Sequence, residues 1–212
     1  ADDERCYTPM GTTTFYKKLA KYCHRKESHG FRGFVDVTLK QQDNTNAMLW
    51  LKKSANQGYA EAQCVLGKYY LENKDDANAI LWLKKSAEQG FAEAQYSLGV
   101  CYKNGDGVTK NIAEAVKWYM KAAEQGDAQA QCHLGYCYKK GLGVTADYAE
   151  GVKWYKKAAE KGNAPAQYNL GLCYKKGEGV EKNIDEAIKW FSKSAEQGDE
   201  DAKKQLKELK KP

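Results

Sequence analysis

The segment AVKWYMKAAEQGDAQAQCHLGYCYKKGLGVTADYAE, from Ala115 to Glu150, decides how the rest of the chain is read. Ala115, Trp118, Tyr119 and Ala122 follow the i, i+3, i+4, i+7 spacing that places apolar side chains on one face of a helix. Ala130, Leu134 and Tyr138 follow i, i+4, i+8 and define a second helix. Gly126 followed by Asp127 supplies a helix stop and then an N-cap between them, so the two helices are predicted to run antiparallel. The segment closes on Gly141-Leu142-Gly143-Val144, where glycine provides the backbone angles of a loop. Asp147 and Glu150 then have the spacing of a capping box opening the next helix.

The same text recurs on both sides. AILWLKKSAEQGFAEAQYSLGVCYKNGDGVTKNIAE begins at Ala79 and GVKWYKKAAEKGNAPAQYNLGLCYKKGEGVEKNIDE at Gly151, a period of 36 residues. A copy starting at Ala47 returns after 32 residues, having lost the Gly-x-Gly-Val loop, and a half-copy starts at Ala187. All five tryptophans, Trp50, Trp82, Trp118, Trp154 and Trp190, fall in one column. The turn recurs as Gly162-Asn163 and Gly198-Asp199, the loop as Gly105/Gly107 and Gly177/Gly179, and the box as Asn111/Glu114 and Asn183/Glu186. A helical pair repeated at this length predicts an all-α solenoid in which each repeat buries its apolar face only against its neighbours.

The alternation of LGxCYxxGxGV with WYxKAAEQGxAxAQ resembles the Sel-one-like repeat (SLR) family, short relatives of tetratricopeptide repeats, over about residues 47 to 198. The resemblance implies a right-handed α/α superhelical solenoid of paired antiparallel helices, whose concave surface binds proteins or peptides, with no catalysis in most members. The ends depart from the pattern. DEDAKKQLKELKKP, from residue 199 on, keeps Leu206 and Leu209 as an inner stripe but carries lysines where another repeat would dock, and is predicted to be a polar capping helix. FYKKLAKYC from Phe15 resembles WLKKSANQG, and LKQQDNTNAMLWL from Leu39 resembles LENKDDANAILWL, so residues 1–46 are expected to hold a degenerate capping repeat across about 11–46.

Composition narrows the function classes. The chain of 212 residues is 42% hydrophobic with only three prolines, enough to bury a core. No stretch approaches the roughly 20 apolar residues of a spanning helix. The net charge of +6 comes from 34 basic and 28 acidic residues scattered along the length, and the first 46 hold eight basic against six acidic, so there is no basic arm for nucleic acid. The tryptophans read as core and the lysines as partly paired, which also argues against base stacking.

Chemistry is sparse. Only His24, His29 and His133 exist, and no residue stands in a nucleophile elbow. The Glu114, Glu150 and Glu186 column reads as capping, and Gly-x-Gly-Val, recurring after each helical pair without a P-loop lysine, is no phosphate loop. No enzyme activity, cofactor or metal is expected; Cys6, Cys23, His24 and His29 offer zinc-ligand types, but their spacing is not that of a known finger. Of seven cysteines, Cys101, Cys137 and Cys173 share a column whose neighbours stand about 8–10 Å apart across packed helices, too far to bridge. Cys64 and Cys132 lie two repeats apart, and Cys132 to Cys137 is i, i+5. Cys6 and Cys23 remain as the pair to bridge in an oxidising compartment. The opening ADDERC, without Met or apolar leader, fits a mature exported chain, periplasmic or secreted, although a trimmed chain would look the same.

Two surfaces are candidates for binding. Lys53, Lys85, Lys121, Lys157 and Lys193 form an unbroken column, read as opposite the tryptophans, flanked by Lys117, Lys153 and Lys189. Where the resemblance places first helices along a groove, this ladder would suit an acidic peptide or a terminal carboxylate. The alternative is a solvated face neutralised by i, i+3 pairs such as Lys121 with Glu124. On the second helix Tyr96, His133, Tyr136 and Asn169 vary between copies, as partly exposed anchors or as ordinary drift. The expectation is a non-catalytic protein-interaction module, a monomer or weak dimer; the other reading is an exported inhibitor or immunity protein that blocks a toxin-like enzyme.

Overall fold

The computed structural model describes residues 41–209, with side chains from residue 47 on. Among these residues there are ten helices and no strand: α1 (Gln41–Asn56), α2 (Ala60–Glu72), α3 (Asp76–Glu88), α4 (Ala92–Asn104), α5 (Ile112–Glu124), α6 (Ala128–Lys140), α7 (Tyr148–Glu160), α8 (Ala164–Lys176), α9 (Ile184–Glu196) and α10 (Glu200–Leu209). The fold is an all-α helical-repeat solenoid, as the spacing predicts. Odd-numbered helices carry the tryptophans and are called first helices; even-numbered ones are second helices. The chain divides into two compact units at Lys110, the described part of one holding α1–α4 and that of the other α5–α10. The degenerate repeat expected across residues 11–46 falls almost wholly outside the described residues.

Local signals in the sequence act where they stand. Asp127 Oδ1 accepts from Ala130 N at 2.8 Å and Asn163 Oδ1 from Ala166 N at 2.9 Å, so each satisfies an otherwise unpaired amide at a helix start. At the first helices Asn111, Asp147 and Asn183 accept from Glu114 N, Glu150 N and Glu186 N at 2.9–3.0 Å. The expected capping boxes are only half made. Glu114, Glu150 and Glu186 turn outward to Lys117, Lys153 and Lys189 at 2.8–2.9 Å instead of returning to the cap, because an i, i+3 ammonium is a stronger partner than a neutral amide.

Glycine in the loops is required by contact as well as by backbone angle. Gly143 has φ +69°, and a Cβ there would lie 2.8 Å from Ile112 O; at Gly179, with φ +73°, it would collide with the Tyr148 carbonyl. Each loop thus presses directly on the first turn of the preceding first helix. Within the second helices, a Cβ at Gly171 would come 2.7 Å from the buried Phe191 ring, so the bare backbone is what lets α9 approach α8.

The two units have separate cores. In α1–α4, Leu51, Ala55, Ala62, Val65 and Leu66 pack together with Trp82 at their edge. In α5–α10, Cys132, Val152, Tyr155, Ala158, Leu170, Cys173 and Trp190 form one cluster. Tyr168, Ala187, Phe191 and Ala202 form another, and Leu206 and Leu209 of α10 pack against it, which is the inner stripe expected at that end. Complete burial of a side chain the size of Phe191 or Leu170 stabilises by about 1.5–3 kcal/mol, so helix pairs of this length hold together mainly by stacking on the next.

Candidate functional site

The lysine column does not lie opposite the tryptophans. Residues three apart on a helix share a face, and each lysine folds its ammonium over the ring one turn before it. In the α5–α10 unit Lys121 Nζ lies 4.2 Å from the centroid of Trp118, Lys157 Nζ 3.9 Å from that of Trp154 and Lys193 Nζ 4.5 Å from that of Trp190. In the α1–α4 unit Lys53 stands 5.0 Å over Trp50 and Lys85 4.5 Å over Trp82. All five lysines are exposed, whereas the rings range from 49% exposed at Trp50 to 6% at Trp190. Each is a cation–π pair with the ammonium outermost.

The i, i+3 neutralisation expected for this column is not made. Among the described residues Lys85, Lys121, Lys157 and Lys193 enter no ion pair; Glu88 is 4.0 Å from Lys84 instead. The flanking lysines differ in kind. Lys117 and Lys153 pair with Glu114 and Glu150 of their own helices at 2.8 Å, and Lys189 with Glu186 at 2.9 Å. The Glu150 contact raises the pKa of Lys153, and Lys189 with Trp190 Nε1 lowers that of Glu186. Lys117 and Lys153 are therefore engaged within the helix, while Lys53, Lys85, Lys121 and Lys157 present charge outward.

The second-helix candidates separate as well. Tyr96, Tyr136 and Asn169 are half-buried, which leaves part of each at the surface. His133 is not a surface residue: it is 4% exposed and its ring stacks on Tyr119 at 5.1 Å with an interplanar angle of 15°. Its variation between copies reflects repacking of the core, since the position faces the buried Tyr119 of the preceding first helix.

One buried network was not anticipated. Gln63, Gln95, Gln131 and Gln167, all at most 5% exposed, donate Nε2 to the first-helix carbonyls of Ala55, Ala87, Ala123 and Ala159 at 2.9–3.1 Å. Each second helix is thereby tied to the end of the helix before it. The signal in the sequence is the glutamine that ends every AxAQ motif, a polar residue fixed inside an alanine-rich stripe.

Two concave spaces lie in the α5–α10 unit. One, of about 660 Å³, is lined by Lys156, Glu160, Tyr174, Asn183, Lys189 and Trp190 among others. The second, of about 620 Å³, is lined by Gly126, Gln131, Trp154, Lys157, Glu160 and Lys161 among others. Neither gathers a nucleophile with a base. Among the described residues no three His, Cys, Asp or Glu side chains are grouped to hold a metal ion, and no helix is long and apolar enough to cross a membrane. Cys64, Cys101, Cys137 and Cys173 are buried and form no disulfide. Burial pushes the Cys101 thiol up to about 12 and the Cys173 thiol to about 11, far from a reactive thiolate. Cys132, equally buried, is disulfide-bonded, contrary to the expectation that its spacing leaves it unbridged. The bridge expected between Cys6 and Cys23 lies outside the described residues.

Comparison with known proteins agrees with this architecture. A family model described as the Sel1 repeat matches residues 31–59, 60–91, 92–127, 128–163 and 164–199, its frame beginning on a second helix from the second match on. The chain is similar to the crystal structure of a protective antigen of uropathogenic Escherichia coli strains displaying an SLR fold, with 44% identity and a TM-score of 0.73. That match covers 75% of this chain and 35% of the other, so the chain spans about a third of that relative's length. It is also similar to a Sel1 repeat protein from Oxalobacter formigenes, with 34% identity and a TM-score of 0.70 over 90% of this chain and 73% of that one. A sel1 repeat protein from Klebsiella pneumoniae shares the fold at 21% identity and a TM-score of 0.53, over 93% and 94% of the two chains. No curated protein matches the chain significantly in sequence.

Proposed function

The chain belongs to the Sel1 repeat family, and from that premise we propose that it is a non-catalytic protein-binding module whose first-helix surface takes a protein or peptide partner bearing acidic groups. Sel1 repeat proteins are generally protein-interaction scaffolds and are typically non-catalytic. The observation that carries the reading is the state of the lysine column. An ammonium held 3.9–4.2 Å over an indole and not paired to a carboxylate is positioned by the ring and keeps its charge for an incoming acceptor. A lysine free on its own stem would lose rotamer entropy on binding; one already resting on tryptophan loses less.

Lys121 and Lys157, in the α5–α10 unit, are the strongest candidates, with Lys53 and Lys85 presenting the same motif in the α1–α4 unit. Lys117 and Lys153 contribute less, since a partner must compete with Glu114 and Glu150 for them. Tyr136 and Asn169 remain as a secondary surface on the second helices of the α5–α10 unit, with Tyr96 a separate candidate in the α1–α4 unit, and His133 is buried and belongs to neither. The test is affinity capture from native extract by the wild-type chain beside a Lys121→Glu, Lys157→Glu variant of equal helicity. Capture of one identified protein by wild type and its loss in the variant supports the first-helix surface. Equal capture by both removes it.

A further inference from the structure

The buried glutamines form a second set of bonds, between consecutive repeats, and one of them is missing. Gln89 Nε2 donates to Gln63 Oε1 at 2.7 Å, and Gln197 Nε2 donates to Gln167 Oε1 at 2.8 Å. In each case the donor stands just past the end of a first helix and reaches back to the glutamine of the preceding second helix. At the same place beyond α7 the chain has Lys161. Its ammonium turns to Gly126 O at 2.5 Å, and Gln131 Oε1 is left without a hydrogen-bond partner. The amide cannot be turned round to cure this, because Gln131 Nε2 is held by Ala123 O at 2.9 Å. Gln131 is 3% exposed, and a buried acceptor without a donor is destabilising.

Gln131 also lines the cavity of about 620 Å³ beside Trp154, Lys157, Glu160 and Lys161. We propose that this cavity is a subsite for a primary carboxamide, the side chain of an Asn or Gln in a bound peptide, whose NH2 donates to Gln131 Oε1 where Gln89 and Gln197 donate in the other repeats. The chemistry of the wall selects the group. A carboxylate brings no proton for Gln131 Oε1, and the wall, with Lys157 and Lys161 balanced by Glu124 and Glu160, has no net charge to hold an alkylammonium. A carboxamide brings the N–H that Gln131 lacks and a carbonyl that either lysine can meet, without burying a net charge. The exposed arms of Lys157 and Lys161 move aside to admit it, as flexible ends do at little cost. The subsite deepens the proposed partner surface, since Lys157 belongs to both.

The test is an NMR titration of the full chain with N-acetyl-L-glutamine methylamide and, separately, its glutamate counterpart, following the Gln131 carboxamide and Trp154 indole signals. The glutamine probe is expected to shift both saturably and to bind at least about fivefold more tightly than the glutamate probe. Lys161→Gln, which supplies the missing donor from within the chain, is expected to weaken the glutamine probe at least about tenfold. Lys161→Ala, which supplies none, keeps it. No saturable shift, equal binding of the two probes, indifference to Lys161→Gln, or a crystal structure with only a water on Gln131 Oε1 in the presence of the probe would each overturn the subsite. The titration uses no protein partner, so its failure leaves the partner surface standing, and a failure of partner capture leaves the titration result unchanged.

Discussion

Replacing Gln167 by methionine separates the two bonds a buried glutamine makes. The side chain is 4% exposed, and methionine has nearly its length and shape, so the change removes polar contacts rather than volume. Two hydrogen bonds are lost, Gln167 Nε2 to Ala159 O at 3.1 Å and Gln197 Nε2 to Gln167 Oε1 at 2.8 Å. Ala159 O is not orphaned, because Gly162 N also donates to it at 3.0 Å, and Gln197 is exposed and can turn to water. Each loss therefore carries only the net worth of one hydrogen bond, about 0.5–1.5 kcal/mol, for a total of about 1–3 kcal/mol. Gln131→Met in the preceding repeat loses the Ala123 contact but also removes the buried Oε1 that has no donor, so it should cost far less than Gln167→Met or nothing at all. Urea unfolding of the three proteins, at unchanged m-value, reads the difference directly. Equal destabilisation by the two substitutions would refute the assignment of a separate bond between Gln167 and Gln197.

Further outcomes follow from the same structure. Gly143→Ala places a Cβ 2.8 Å from Ile112 O at φ +69° and should destabilise by about 2 kcal/mol or more, read as a lower melting temperature, while Gly162→Ala, where no atom lies within 4 Å, should cost less. Cys101 and Cys173, with thiols pushed up to about 12 and 11 by burial, should resist an aromatic disulfide reagent at pH 8 in the folded protein and react once it is unfolded; rapid reaction in the folded state would show the second helices to be open. Glu178 is ion-paired with Lys139 at 2.8 Å, and Lys139 lowers its pKa below the ordinary carboxylate value. A lowered folded-state pKa contributes stability that is present above the unfolded value and is lost as the pH falls through the folded one, so Lys139→Met should flatten the acid limb of the stability profile and leave it unchanged near neutrality in slope.

The repeat was legible because its signals are local. The helix periods, the Gly-Asp and Gly-Asn turns and the Gly-x-Gly-Val loops each act within a few residues, and the tryptophan column fixed the register in which the helices stack. The surface was read less well. The lysine column is plain in the sequence, but its place beside the tryptophans follows only from helix geometry, in which Trp118 and Lys121, three apart, share a face. Long side chains also choose among partners that sequence distance does not rank: Lys121 takes a ring and not Glu124, while Lys117 takes Glu114. His133 was read as exposed because it varies, but a core position varies whenever its neighbours can repack around it. The glutamines give no such signal, because a polar residue in a repeat reads as surface until its buried acceptor is seen.

The most direct test of the partner surface compares the affinity of a captured partner for wild type, for Lys121→Gln with Lys157→Gln, and for Lys117→Gln with Lys153→Gln. All these lysines are exposed and all the variants lose the same charge, so bulk electrostatics cancel between the two doubles. The first double should weaken binding at least about tenfold, or about 1.4 kcal/mol, and the second less than about twofold. Equal weakening by the two doubles, or none by the first, would contradict the claim that the tryptophan-held lysines are what the partner meets.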